Sequence, residues 1–277
     1  MAIQTSTERG SWNSRLGFIL AAAGSAVGLG NIWGFPTKVA TEGGAAYLII
    51  YLLCTFLIGF PVMVAELSIG RASRRNPVGA FKALSSNKFF PLVGLWGVIC
   101  GVMILSFYSV IAGWAFGYAI EEIFYFLGWT QMADLLTDTG NGWKNALLAV
   151  IFMLATIKII TGGVSDGIEK ATKTMMPLLI GIIVIMILYV LTQDGAMEGV
   201  REYLLPDFSR ITTDLVFSAM GQAFFSLSLG MGALITYGSY LSKKENIPQV
   251  AAFVTLADVG IAFLAGLLII PAMYVAR

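Results

Sequence analysis

The sequence has 277 residues, of which 57% are hydrophobic and 12% are charged, and its 17 basic and 16 acidic residues leave a net charge of +1. About a quarter of the residues of soluble domains are charged, so this composition excludes a soluble domain and indicates a protein that crosses a membrane several times. The near-neutral net charge argues against a nucleic-acid-binding surface. The absence of histidine excludes histidine-dependent catalytic triads and imidazole zinc sites, and Cys54 and Cys100 lie in apolar runs where neither a disulfide framework nor a metal cluster is expected.

Seven apolar stretches are long enough to cross a bilayer, which takes about 20 mainly apolar residues per helix. Five of them contain 20 to 32 consecutive uncharged residues. The other two contain one charged residue each. Lys158 lies near the end of its span and can reach the interface, whereas Asp258 lies further inside its span, where a charge is costly and requires an explanation. The predicted spans lie near 15–39, 43–70, 91–127, 143–161 and 174–193, followed by an extracellular loop over 195–212 and two spans within 213–277.

The lysines and arginines predict the orientation of these spans. With a cytoplasmic N-terminus, 12 of the 17 basic residues lie on the cytoplasmic side and five lie outside. The positive-inside rule therefore predicts a cytoplasmic N-terminus and, after seven crossings, an extracellular Arg277. The first span is too long for a signal peptide and has no clean cleavage site, so we expect it to be retained in a multi-pass protein of the cell membrane.

Glycines interrupt the first and the sixth span near their middles. The first contains Gly24-Ser-Ala-Val-Gly-Leu-Gly-Asn-Ile-Trp-Gly-Phe-Pro36, and the sixth contains Gln222-Ala-Phe-Phe-Ser-Leu-Ser-Leu-Gly-Met-Gly232. Each interior glycine costs a helix about 1 kcal/mol, although small residues also allow close helix packing in membranes. Because the two spans are five crossings apart, an odd number, they are predicted to be paired discontinuous helices of an inverted repeat, which favours a transporter site near the bilayer midplane.

Several polar side chains within the spans are candidates for that site. Asn31 suits either a cation ligand or a helix cap, and Ser226 and Ser228 either bind a ligand or bond back to helix carbonyls. Tyr108 is either a packed aromatic residue or a hydroxyl donor at membrane depth. Asp258 is a functional candidate by default because it is a carboxylate inside the membrane. All of these groups offer oxygen, which a hard cation such as sodium prefers.

Other features of the sequence limit the functions that are possible. Glu66, near the cytoplasmic end of the second span, is expected to be structural, as a cap or as the partner of Arg71. The sequence has no P-loop, no Gly-x-Ser-x-Gly and no His-Glu-x-x-His motif, and no nucleophile–base pair supports an intramembrane enzyme. An enzyme is therefore not expected.

The interrupted spans resemble those of the neurotransmitter:sodium symporter family, in particular its bacterial amino-acid transporters. The resemblance also rests on Gly43-Gly-Ala-Ala-Tyr47, Pro61-Val-Met-Val-Ala-Glu-Leu-Ser-Ile-Gly-Arg71 and Gly167-Ile-Glu-Lys170, and it covers essentially the whole chain. It implies an all-α integral membrane protein with the inverted-repeat sodium-symporter fold and discontinuous helices 1 and 6. Since the family has eleven or twelve spans, the resemblance implies a first five-helix repeat over 1–194, an incomplete second repeat over 213–277, and a chain that is C-terminally incomplete.

The resemblance implies sodium-coupled symport of an amino acid by alternating access, with two sodium ions and no organic cofactor. A pocket with Ile104, Phe225 and Met231 favours an apolar or aromatic amino acid, since methionine adapts to bulk. In the family the substrate carboxylate meets backbone amides and a tyrosine hydroxyl, and its amine meets carbonyls. The implied substrate-binding residues are Ser25, Ala26, Leu29, Gly30, Ile104, Tyr108, Phe225, Ser226, Ser228 and Met231. The implied sodium ligands are Ala26, Asn31, Ser226 and Asp258 for the first ion and Gly24 and Val27 for the second, whose site is incomplete in this chain.

Chloride and the gates follow from the same resemblance. Tyr51, Gln222 and Ser226 match positions that line a chloride ion in some family members, but the carboxylate of Asp258 supplies a fixed negative charge close by. We therefore predict transport that does not require chloride. The implied cytoplasmic gate consists of Arg9, Trp12 and Tyr240. The usual outer ion pair is in doubt, because Gly34 stands where many relatives have arginine.

Two functions remain open at the level of the sequence. The first is a transporter whose missing helices are supplied by a longer chain or by a second polypeptide. The second is a truncated, non-transporting fragment or subunit that needs a partner chain. In both cases the expected partners are an amino acid, the lipid bilayer and the missing C-terminal helices, with no nucleic acid.

Overall fold

The structure, a computed structural model, describes residues 15–137 and 139–276, and every regular element within them is helical. Five continuous stretches in these residues are long and apolar enough to cross a membrane, and they correspond to the second, third, fourth, fifth and seventh predicted spans. The all-helical membrane fold predicted from the sequence is therefore confirmed. The five stretches are Ala45–Ser73, Phe90–Phe126, Gly142–Thr161, Asp166–Val190 and Ile247–Val275.

The first predicted span is divided into two helices. Helix α1 (Arg15–Ala26) ends ahead of Gly28, and a π-helical turn over Gly30–Gly34 leads into α2 (Phe35–Glu42). Pro36 lies in the first turn of α2, where its missing N–H breaks no hydrogen bond within that helix. The glycines thus stand at the point where regular helical geometry stops.

The sixth predicted span is divided as well. Helix α11 (Thr213–Ser226) and helix α12 (Ala233–Gly238) are separated by a non-helical segment, Leu227–Gly232. Within this segment Ser228, Gly230 and Gly232 have φ angles of 56°, 79° and 76°, which end a right-handed helix. Glycine adopts such angles freely, whereas the serine among them is uncommon.

Shorter helices lie between the membrane-spanning ones. The fifth predicted span begins at Asp166, ahead of the predicted start at 174, because its first turns contain Lys170 and Lys173, which a run of uncharged residues excludes. The second predicted span contains a π-helical turn over Thr55–Gly59. The remaining helices are α3 (Ala45–Cys54), α4 (Phe60–Ser73), α5 (Pro77–Leu84), α6 (Phe90–Phe126), α7 (Thr130–Thr137), α8 (Gly142–Thr161), α9 (Lys170–Val190), α10 (Ala196–Leu204) and α13 (Ile247–Val275).

Helix α13 lies at the centre of the packing. Half of its most apolar 18-residue window is buried, against 6% to 28% in the other four continuous spans. It packs against α1, α2, α4, α9 and α10. Side chains on α6 and α8, such as Met103, Phe107 and Leu154, are more than half exposed, as expected of helices that face lipid. This arrangement brings the two interruptions together beside α13.

Candidate functional site

A buried carboxylate joins both interrupted helices to α13. Asp258 is completely buried, and its Oδ1 accepts a hydrogen bond from Asn31 Nδ2 at 2.7 Å. Ser226 Oγ lies 2.8 and 2.9 Å from the two carboxylate oxygens, and the Tyr51 hydroxyl donates to Oδ2 at 3.2 Å. These partners are all neutral, so none of them balances a negative charge that has been removed from water.

Asn31 is also completely buried, and both the oxygen and the nitrogen of its side-chain amide form hydrogen bonds. Its Oδ1 accepts from the Gly28 N–H at 3.1 Å, and its Nδ2 donates to Ser226 Oγ at 3.0 Å as well as to Asp258. The side chain thus accepts a hydrogen bond from a backbone N–H at the interruption, but it is not the N-cap of the turn over Gly30–Gly34, whose N-cap is Leu29, without a side-chain cap bond. Its amide oxygen faces the interruption of the first span, where backbone groups have left the helical ladder.

The π-helical turn of the first span is held by α6 and α11. The Gly30 N–H donates to the Tyr108 hydroxyl at 2.9 Å, and Gln222 Nε2 donates to the Gly30 carbonyl at 3.0 Å. A Cβ atom at Gly30 would lie 2.8 Å from the ring of Phe225, so a larger residue would displace that ring. Gly30 and Tyr108, both expected at a substrate carboxylate, thus lie within hydrogen-bond distance of each other.

A cavity of about 310 Å³ lies between α1, α6 and the non-helical segment of the sixth span. Its volume and mainly apolar lining suit a small organic ligand. Leu29 does not line it, and the side chain of Ser25 lies outside the described part of the structure. The predicted substrate residues that line the cavity are Ala26, Gly30, Ile104, Tyr108, Phe225, Ser226, Ser228 and Met231, and the sodium candidates Gly24 and Val27 line it too.

Three residues that line the cavity were missed from the sequence: Gly28, Gly101 and Leu105. Gly101 and Leu105 share a face of α6 with Ile104 and Tyr108, since all four line the cavity. Helical periodicity around Tyr108 could have found them, because residues three, four and seven positions apart lie on one side of a helix. The absence of a side chain at Gly101 leaves the cavity room beside Met231, whose Cβ lies 4.0 Å from the position of a Cβ at residue 101.

Glu66 makes a different contact from the one expected. Its Oε1 accepts from the Gly230 N–H at 2.7 Å, whereas Arg71 donates to the backbone carbonyl of Glu245 at 2.6 Å. Glu66 is 7% exposed, and its Oε2 is buried without a hydrogen-bond partner among the described residues. The expected pairing with Arg71 was therefore wrong, and Glu66 instead supports the segment that carries Met231.

The remaining predicted residues are placed as follows. Tyr51 reaches the carboxylate of Asp258, whereas Gln222 turns towards Gly30, so the three suggested chloride positions do not all point at one spot. Tyr240 follows α12 and lines a second cavity with Tyr237. The two other gate residues, Arg9 and Trp12, lie outside the described residues.

Known proteins resemble this chain in sequence and in fold. The profile of the sodium:neurotransmitter symporter family matches residues 9–141 and 131–276. An uncharacterized sodium-dependent transporter of Bacillus subtilis is 39% identical over an alignment of 267 residues, which covers 95% of this chain and 59% of that protein. The mouse sodium-dependent neutral amino acid transporter B(0)AT2 is 28% identical over an alignment of 301 positions, gaps included, which covers 95% of this chain and 40% of the mouse protein.

A solved structure extends the comparison to three dimensions. The crystal structure of MhsT in complex with L-phenylalanine superimposes with a TM-score of 0.87 at 42% identity, over 97% of this chain and 62% of that chain. The chain thus spans between 40% and 62% of the lengths of these three proteins.

Proposed function

The chain belongs to the sodium:neurotransmitter symporter family, and from that premise we propose that it takes part in sodium-coupled symport of an apolar or aromatic amino acid by alternating access. The observation that carries the proposal is the cavity of about 310 Å³ where two interrupted helices meet beside a buried carboxylate. Its relatives are transporters, which agrees with the absence of enzyme motifs from the sequence.

The first sodium ion is proposed to bind beside Asp258. A cation there would balance the carboxylate, whose hydrogen-bond partners are neutral, and the cluster offers the oxygen ligands that sodium prefers. The proposed ligands are the Ala26 carbonyl, the side-chain oxygens of Asn31 and Ser226, and Asp258. A second sodium ion is proposed to bind the carbonyls of Gly24 and Val27. Its further ligands are proposed to come from later helices like those of the relatives.

The amino acid is proposed to fill the cavity. Its carboxylate would accept hydrogen bonds from the amides of Leu29 and Gly30 and from the Tyr108 hydroxyl, which now accepts from the Gly30 N–H at 2.9 Å. Its amine would donate to the carbonyls of Ala26, Phe225 and Ser226. The side chain would lie against Ile104, Phe225 and Met231. An apolar lining supports a hydrophobic amino acid, and MhsT, the structural relative, was crystallised in complex with L-phenylalanine.

Chloride is proposed to be unnecessary. The hydroxyls of Tyr51 and Ser226 already surround the carboxylate of Asp258, which supplies the negative charge that an anion would bring. Replacing chloride by gluconate in an uptake assay of the complete transporter, with its later helices, should leave the rate unchanged. A large loss of uptake would contradict this part of the proposal.

The organisation of the whole transporter is also a proposal. Residues 1–194 are assigned to a first five-helix repeat and residues 213–277 to the opening of a second, with the N-terminus in the cytoplasm. We propose that later helices like those of the relatives cover the open side of the cavity, whether they belong to this polypeptide or to a second one. Without such helices the chain would bind its ligands and would not transport them.

Binding of radiolabelled L-phenylalanine to the purified chain tests the site directly. Binding is expected in sodium and not in potassium, and Asn31→Ala should abolish it by removing one ligand and the bond to Asp258. The matched control is Gln249→Ala, since Gln249 is an exposed amide in the first turn of α13. The site assignment would be overturned if binding did not depend on sodium or if it were unchanged in Asn31→Ala.

A further inference from the structure

The connection between α4 and α6 is strongly basic. Residues 71–90, which we call the α5 connection, contain five basic residues and no acidic one. Two of the five are already engaged: Arg71 donates to the Glu245 carbonyl at 2.6 Å, and Arg74 donates to the Ser239 carbonyl at 3.5 Å. The other three basic residues are Arg75, Lys82 and Lys88.

Arg75, Lys82 and Lys88 are exposed. None of them forms an ion pair with an acidic side chain of residues 15–137 or 139–276. Three positive charges that lie within 14 residues of the sequence and have no ion-pair partner among the described residues favour an anionic partner.

The position of the α5 connection places these charges at a membrane surface. Helix α4 ends at Ser73 and helix α6 begins at Phe90, and both belong to stretches that can span the bilayer. Among the basic residues stand three exposed apolar side chains: Leu84 at 52%, Phe89 at 74% and Phe90 at 45%. Exposed aromatic residues next to lysine and arginine are typical of surfaces that lie in the lipid headgroup region.

The surface is rigid, because α5 packs closely on its neighbours. A Cβ atom at Gly94 would lie 2.7 Å from the Pro77 carbonyl, and one at Gly232 would lie 2.5 Å from the Pro77 ring. The Asn76 side chain caps α5 by accepting from the Gly79 N–H at 2.7 Å. The basic and apolar side chains are therefore presented on a preformed backbone, which lowers the entropic cost of binding.

We propose that the α5 connection binds the phosphate headgroups of anionic phospholipids in the leaflet that it faces. The three free basic side chains contact the phosphates, and the three exposed apolar side chains enter the layer just beneath. A wholly polar anionic partner such as polyglutamate would satisfy the charges but would leave the apolar side chains in water. The bilayer satisfies both, so we assign the surface to lipid.

Lipid enrichment around the reconstituted chain tests the proposal. A donor fluorophore is attached to Cys100, which is exposed, whereas Cys54 is buried. The labelled chain is placed in phosphatidylcholine vesicles that contain one part in five of phosphatidylglycerol. Traces of phosphatidylglycerol or phosphatidylcholine carry an acceptor on the acyl chain. Both leaflets have the same composition, so the direction of insertion does not affect the result. We expect phosphatidylglycerol to be enriched near the chain by about fivefold over phosphatidylcholine, and less in high salt.

Two triple variants locate the effect. R75Q/K82Q/K88Q should lose most of the enrichment, whereas K158Q/K170Q/K244Q, which removes three other exposed charges, should keep it. Equal transfer to both lipids in the unmodified chain, or an equal loss in both triple variants, would overturn the proposal. So would retention of the enrichment in the first variant, or its removal by soluble polyglutamate. The readout needs no amino-acid binding, so its outcome is independent of the proposed transport function.

Discussion

The hydrogen-bond partners of Asp258 are neutral and do not balance the negative charge of its carboxylate. This arrangement leads to a prediction about sodium and chloride. Asp258→Asn keeps the size of the side chain and one acceptor oxygen but removes the charge. We expect the affinity for sodium, measured by sodium-dependent phenylalanine binding, to fall by about two orders of magnitude, since a buried charge pair loses one partner. The hydroxyls of Tyr51 and Ser226 are then free to donate to an anion. Chloride should therefore partly restore binding in the variant and have no effect on the unmodified chain; equal responses in the two would contradict this account.

Glu66 is a second residue whose role can be separated into hydrogen bonding and charge. Glu66→Leu removes the acceptor of the Gly230 N–H, and the loss of a hydrogen bond of this kind costs about 0.5–1.5 kcal/mol. We expect a lower unfolding temperature and about tenfold weaker phenylalanine binding, because the segment beside Met231 loses its support.

The matched variant is Glu66→Gln, whose side-chain oxygen can still accept from Gly230. It should behave almost like the unmodified chain in both measurements. If Gln is as damaging as Leu, the negative charge is what matters and the hydrogen-bond explanation is wrong.

Single residues also show how far sequence reasoning reaches. Asn31, Ser226 and Asp258 could be singled out in advance because polar side chains inside a membrane are rare and need partners, and the family resemblance then grouped them at one site. The bond between Glu66 and Gly230 could not, because Gly230 contributes a backbone N–H, and a backbone group leaves no signal in the sequence. It depends on how closely α4 approaches α12, and that closeness requires Gly70, where a Cβ atom would lie 2.1 Å from the Ile235 carbonyl.

Among the helices, the interruptions were the most predictable elements and their internal geometry the least. Pairs of glycines in apolar spans indicate where a helix stops, but they do not reveal a π-helical turn over Gly30–Gly34 or a left-handed Ser228. Such conformations are imposed by packing against neighbouring helices rather than by local preference. The short helices α5, α7 and α10 were not predicted, since they lie between the long uncharged runs that mark the membrane spans.

The left-handed segment between α11 and α12 gives a prediction with an internal control. Gly221 and Gly230 both have open space where a Cβ atom would be added, but only Gly230 has a positive φ, of 79°. Gly230→Ala should therefore lower the stability by about 1–2 kcal/mol through backbone strain alone. Gly221→Ala, within helix α11, should raise the stability by up to about 1 kcal/mol. Thermal unfolding in detergent measures both, and similar shifts for the two variants would refute the assigned backbone.

For the whole molecule, hydrophobicity predicts seven spans but does not predict how they pack. The composition of α13 resembles that of the other spans, yet α13 is by far the most buried of the continuous ones. Its neighbours α1, α2, α4, α9 and α10 come from distant parts of the sequence, and long-range packing of this kind leaves no local signal. The resemblance to a known family supplied what the pattern of residues alone could not.

Orientation is the property of the whole molecule that the charge distribution predicts most directly, because 12 of 17 basic residues fall on one side. In chains without the native cysteines, single cysteines can replace Ser86, next to α5, and Thr139, between α7 and α8; both residues are exposed. In intact cells a membrane-impermeant thiol reagent should label Thr139→Cys and not Ser86→Cys. Permeabilisation should make both react, which shows that each cysteine is accessible. The opposite pattern would reverse the topology and place the basic α5 connection outside the cell.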